Sequence, residues 1–153
     1  MAGRRESIKM NPSEIEIFLA EVRSMSVATH GPDGEIHLVA MWYGFLGAEL
    51  AFWTYAKSQK VANLRRSASL TVLVEAGSTY DQLRGVEIVG TGEIVTDPKL
   101  VREIGESVYS RYVSGSEPGA REIFLSSANK RVGVIVRPKR MVSWDHTKLG
   151  GIY

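Results

Sequence analysis

Lys57, Ser58, Lys60 and Asn63 bring two ammonium groups, a hydroxyl and an amide to the point where the chain leaves a strand and opens a helix. That combination holds anions. Ser58 is a good N-cap, and Val61 with Leu64 gives a short helix over about 58–66 its apolar stripe. The unpaired N–H groups of a first helical turn, at the positive end of the helix dipole, favour a phosphate or carboxylate. Lys57, Ser58 and Lys60 add side-chain donors there, and Asn63, one turn on, shares a flank with Lys60. The expected ligand is a phosphorylated tail. A solvated helix with Lys and Arg on its wet face is the competing reading of the same spacing.

Other chemistries find little support. The chain has no Cys, which excludes disulfides, thiolate nucleophiles and Cys-based metal sites, and its three histidines stand far apart without metal or triad spacing. His30 beside a Gly-Pro turn reads as solvated, and His37 reads as a strand surface residue. His146, after Trp144 and Asp145, is the histidine worth testing as a proton donor, but no catalytic residue is assigned. Asp81 and Arg84 read as interface braces. A nucleic-acid surface would use Arg65, Arg66, Lys130, Arg131, Lys139 and Arg140, yet aromatics are not interleaved with them and the net charge is only +2. No nucleic-acid partner is expected. With 153 residues, 44% of them hydrophobic, the expectation is one domain over 1–153. No apolar run reaches the roughly 18 residues of a membrane span and the first ten residues lack a signal-peptide core, so a cytoplasmic protein without a membrane partner is expected.

The elements that must position the anion site follow from patterning. Asn11, Pro12 and Glu14 predict a helix start, and Ile15, Phe18, Leu19 and Val22 carry it to about Arg23. Strands are predicted at 26–29, 36–43, up to Trp53 or Thr54, 70–74 and 86–95, the last bent at Gly90 and Gly92. Asp97 and Pro98 open a helix carrying Leu100, Val101, Ile104 and Val108, a loop follows over 114–119, and a short helix is predicted over 120–125. Strands at 132–136 and 141–144 flank Arg137 and Pro138. We count six main strands in a mainly β fold with peripheral helices, a small barrel and not a Rossmann sheet.

This order, with Ser58, Lys60, Asn63, Leu64, Arg65 and Arg66 after the third strand, resembles the split β-barrel flavin and deazaflavin oxidoreductases, the pyridoxamine 5'-phosphate oxidase-like superfamily. Trp42-Tyr43, Tyr80-Asp81, Leu83-Arg84-Gly85-Val86, Lys130-Arg131-Val132-Gly133-Val134 and Ser143-Trp144-Asp145-His146 resemble its actinobacterial branch that uses coenzyme F420. The resemblance covers nearly the whole chain. It implies a six-stranded, FMN-binding type split barrel and a homodimer with two cofactor sites between the subunits. It places the cofactor phosphate on Lys57, Ser58, Lys60 and Asn63, and the tricyclic ring along Ala40, Met41 and Trp42 with Trp53 and Thr54 beside it. Tyr80 and Leu83 match a loop contributed by the partner subunit, and Trp144, Asp145 and His146 a segment at the pocket rim. Plain core or dimer contact is the other reading of Met41 and the tryptophans. The implied activity is hydride transfer between bound F420 and a small organic acceptor. FMN as cofactor, or a non-catalytic carrier, are the alternatives.

Overall fold

The computed structural model describes residues 3–113 and 117–151, and its centre is one antiparallel sheet curled into a half-open barrel. The strands are β1 (Ser24–His30), β2 (Ile36–Trp42), β3 (Gly44–Leu46), β4 (Glu49–Tyr55), β5 (Ser69–Ala76), β6 (Arg84–Val95) and β7 (Arg131–Asp145). They pair in the order β2-β1-β5-β6-β7-β4-β3. The two edges of this sheet, β2 and β3, are separated in the chain by Tyr43 alone, and that short link draws the edges together.

Seven strands form where six main strands were expected, and the strands differ from the expectation in two places. The three-residue β3 pairs with β4 across the turn at Gly47, whose φ of +62° suits glycine. The stretches 132–136 and 141–144 are one continuous strand, because β7 pairs with β4 only as far as Ile135 and runs on beside β6 alone. Pro138 therefore removes no hydrogen bond from a second neighbour. A register shift at Val89/Gly90 bends the β6–β7 pair, as the glycines predict, and a Cβ on Gly90 would lie 2.0 Å from the Arg137 carbonyl oxygen.

Alternation sorts the sheet into two faces. The inner face carries Val27, Phe52, Val72, Val86, Ile88 and Val134, and α2 (Pro12–Glu21) closes the barrel with Phe18 and Leu19. Burying a side chain such as Phe18 contributes about 2–3 kcal/mol. Asn11 and Glu14 make the expected capping box, but the helix stops at Glu21, two residues short of Arg23. There the Tyr43 hydroxyl donates to the Leu19 and Val22 carbonyls at 2.7 and 2.5 Å, and Arg111 donates to both as well. On the other side of β4 and β7, α4 (Pro98–Tyr112) and α5 (Ala120–Leu125) bury Trp53, Ile104, Val108, Leu125 and Ile135 in a second cluster.

α3 (Gln59–Arg66) lies against β1, and a short α1 (Arg4–Ser7) precedes α2. Part of the loop expected at 114–119, residues 114–116, lies outside the described residues. His37 is half-buried, not a surface residue as expected, and its Nδ1 has no partner among the described residues. No described helix is long and apolar enough to cross a membrane.

Candidate cofactor cleft

Ala40, Met41 and Trp42 of β2, Trp53 of β4, Val108 of α4, Phe124 of α5 and Arg131 of β7 line a cleft of about 330 Å³. Four of these were read from the sequence as ring neighbours. Trp53 is held under α4, with the Phe124 ring 5.2 Å away, and is 4% exposed. Trp42 is half-exposed and stacks on Tyr112 with centroids 4.6 Å apart and planes 11° from parallel. Such aromatic pairs add about 0.5–1.5 kcal/mol beyond their buried area. One wall of the cleft is thus an ordered set of rings.

Arg131 brings a cation to the lining, and Lys60 lies close enough to feel its charge. The Arg131 guanidinium lies 4.6 Å from the Trp53 ring centre and 4.1 Å from that of Tyr55, and its Nε donates to Ser127 Oγ at 3.0 Å. Lys60, only 9% exposed, donates from Nζ to Thr54 Oγ1 at 3.1 Å. Burial, and then the charge of Arg131, hold the Lys60 ammonium below the usual lysine range. Among the described residues neither cation has a carboxylate partner. Two neighbouring, partly desolvated cations without a counter-charge repel one another, and a bound anion relieves both costs.

Ser58 is the N-cap of α3 by position, yet its side chain makes no capping bond; its Oγ lies 3.5 Å from Thr54 Oγ1. The first-turn amides of α3 are therefore not taken up by the cap. Lys57 is exposed beside them. Asn63 is fully buried, donates to Thr29 Oγ1 at 3.0 Å and accepts from Gln59 Nε2 at 2.8 Å and Arg66 Nη2 at 3.2 Å. It fastens α3 to β1. Phosphate, or a phosphorylated cofactor, fits the donor set of Lys60, Arg131 and the helix start.

Tyr80, expected to come to the site from the partner subunit, does not line the cleft of its own chain. It lies in a short 3-10 turn with its ring 4.5 Å from that of His146, whose backbone N–H donates to the Leu83 carbonyl. Trp144 lies next to them in the sheet, packed so closely over Gly85 that a Cβ there would meet the indole at 2.2 Å. The sequence reading also missed members of the cleft: Arg131, Val108 and Phe124. Arg131 is opposite Tyr55 in the β4–β7 register, a pairing that no local pattern announces. No group of His, Asp or Glu among the described residues is arranged to hold a metal.

Residues 12–141 match the family model described as pyridoxamine 5'-phosphate oxidase. The crystal structure of conserved hypothetical protein Rv2991 from Mycobacterium tuberculosis is 42% identical, with 99% of this chain and 95% of that one covered and a TM-score of 0.90. A protein described as an F420 reductase is 29% identical, with 82% and 94% covered and a TM-score of 0.63. HutZ, the haem storage protein from Vibrio cholerae, shares the fold at 13% identity, with 86% and 94% covered and a TM-score of 0.67. No curated protein sequence matches the chain. Since the matched span contains the whole curled sheet as far as Met141 and every residue that lines the cleft, the chain belongs to the pyridoxamine 5'-phosphate oxidase family, within the split-barrel flavin and deazaflavin superfamily.

Proposed function

We propose that the chain is a homodimeric oxidoreductase that holds coenzyme F420 in this cleft and serves hydride transfer to a small organic acceptor. The carrying observation is the pair Lys60 and Arg131, neighbouring cations with no carboxylate partner among the described residues, of which Arg131 lines the aromatic cleft. They would take the phosphate with the α3 amides, while Trp42, Met41 and Trp53 would bound the ring. When bound and reduced, the deazaflavin supplies the hydride. The chain's residues bind, orient and exclude water.

FMN offers a phosphate to the same corner and is the runner-up. The exposed Lys57 and Arg65 favour F420, whose acidic tail extends past the phosphate. The 29% identity to a protein described as an F420 reductase supports the same choice. A non-catalytic carrier would need the same cleft.

The homodimer rests on the outer face of the sheet. Ile36, Leu38 and Trp42 of edge strand β2 are 60%, 67% and 52% exposed, on the same side as Ala40. Through the ladder Ala40 continues to Ser26, Leu73, Glu87 and Val142, and Leu38 to Ala28, Thr71, Val89 and Arg140. Small and apolar side chains on an open edge strand favour burial against a second copy. The test is the absorption and fluorescence spectrum of protein purified from a host that makes both cofactors. A deazaflavin spectrum is expected; a flavin spectrum selects the runner-up.

A further inference from the structure

The far end of β7 carries a second groove, of about 410 Å³, between α1 and the strand. Arg5 and Arg140 flank it, the Trp144 ring and Ile8 give it apolar walls, and His146 stands at its end. The groove is built, because the chain around Ile8 is tied to the strand: Asp145 N–H donates to the Ile8 carbonyl at 2.7 Å, and Met10 N–H to Ser143 Oγ at 3.1 Å. Lys148 adds a bond to the Lys9 carbonyl at 2.8 Å. His146 Nδ1 donates to the Tyr80 carbonyl at 2.8 Å, which leaves Nε2 as the ring's second polar atom.

Charge there is unbalanced. Glu87 is the one carboxylate in the lining, and it meets Arg140 only at 3.5 Å with both side chains well exposed. Arg5 has no ion pair among the described residues. An indole beside two guanidinium forks matches a flat ring or conjugated chain that ends in a carboxylate.

We propose that this groove binds a planar carboxylate, and that such carboxylates are the acceptor class of the enzyme. The second half rests on the homodimer and cofactor reading above. Counted along the sheet order, the far half of β7 lies four strands from β2 across the outer face. A twofold axis running along the strands at the middle of that face would set the β7 side of one protomer against the β2 side of its partner, and so turn each groove towards the other protomer's cleft.

The probe is cinnamate, compared with neutral cinnamamide, by calorimetry and ligand-observed NMR on the full chain. Cinnamate should bind at least tenfold tighter than the amide. Arg140→Gln and Arg5→Gln, both exposed in the single chain, should each weaken cinnamate roughly tenfold or more while the amide binds as before, since a charge-assisted bond is lost in each. Equal affinities for acid and amide would overturn the proposal, as would loss of cinnamate binding in Arg131→Ala but not in Arg140→Gln. If cinnamate binds through Arg140 and F420 does not bind the unaltered protein, the cofactor reading falls and the groove stands. If F420 binds and cinnamate does not, the groove alone falls.

Discussion

Gly105 of α4 faces the Trp53 ring so closely that a Cβ at this position would stand 2.6 Å from Cζ3 of the indole. The helix backbone thereby sets the depth of a tryptophan that lines the cleft. Gly105→Ala must push Trp53 or α4 outward. Overpacking of this kind costs about 1–3 kcal/mol. We expect a lower melting temperature, a shifted tryptophan emission and weaker cofactor binding; a variant with unchanged emission and affinity would show that the cleft does not depend on this contact.

Tyr43 predicts a pH effect. Burial pushes its hydroxyl up to about 12 from an ordinary value of 10, against the opposing charge of Arg111. A folded-state value above the unfolded one means that the stabilisation is present in full below pH 10 and is lost as pH rises through 10 towards 12. Tyr43→Phe should cost about 1 kcal/mol at pH 8, through loss of the bonds to the Leu19 and Val22 carbonyls. It should also flatten the decline between pH 10 and 12. Urea melts of both proteins at pH 8 and pH 11 measure this, and parallel declines would place the alkaline sensitivity elsewhere.

What was legible in the sequence was local. Asn11, Pro12 and Glu14 state a helix start within four residues, and Gly90 states a bend through its missing side chain. Ala40, Met41, Trp42 and Trp53 do meet in one cleft, although their pattern alone allowed plain core. What was hidden depended on pairing. Whether Pro138 interrupts β7 turns on whether the strand has one neighbour or two there. Arg131 joins the cleft because β7 lies antiparallel to β4 with Tyr55 opposite. Asn63 shows the same limit: its spacing from Lys60 puts it on the right flank, but only the packing reveals that Thr29, Gln59 and Arg66 engage its amide.

Lys60 and Arg131 therefore carry distinct expectations from Asn63 and Lys139. Lys60→Ala and Arg131→Ala should each weaken binding of a phosphorylated cofactor by about 1.5–3 kcal/mol, the worth of a charge-assisted hydrogen bond, with little change in fold. Lys139→Ala, at an exposed position, should change little. Asn63→Ala should act first on stability, by loosening α3 from β1. Fluorescence titration with melting curves separates the cases. Equal affinities for Lys60→Ala and Lys139→Ala would return the start of α3 to a wet helix face.

Leu38 is 67% exposed on the open edge strand, so Leu38→Lys tests the homodimer. A charge there leaves the barrel interior untouched but must be desolvated in a face-to-face pair. Sedimentation should show a species of twice the chain mass for the unaltered protein, and a shift towards the monomer with weaker cofactor binding for the variant. A monomer that binds cofactor fully would remove the shared site.

Preference between the two cofactors should depend on salt. Beyond its phosphate, F420 carries a lactyl and polyglutamyl tail, and Lys57 and Arg65 are exposed near the start and end of α3 to meet it. Arg66, next to Arg65 in the chain, is taken up elsewhere: it donates to the His30 carbonyl at 2.7 Å and to Asn63 Oδ1. FMN lacks the tail. Exposed contacts are screened within about 8–10 Å at ordinary ionic strength, whereas the half-enclosed phosphate corner at Lys60 and Arg131 is screened less. Raising salt should therefore narrow the gap between F420 and FMN while leaving FMN binding nearly constant. Lys57→Ala with Arg65→Ala should reproduce the high-salt gap at low salt. Paired titrations at low and high salt measure both effects, and tighter FMN binding at either salt would make FMN the cofactor and the tail contacts irrelevant.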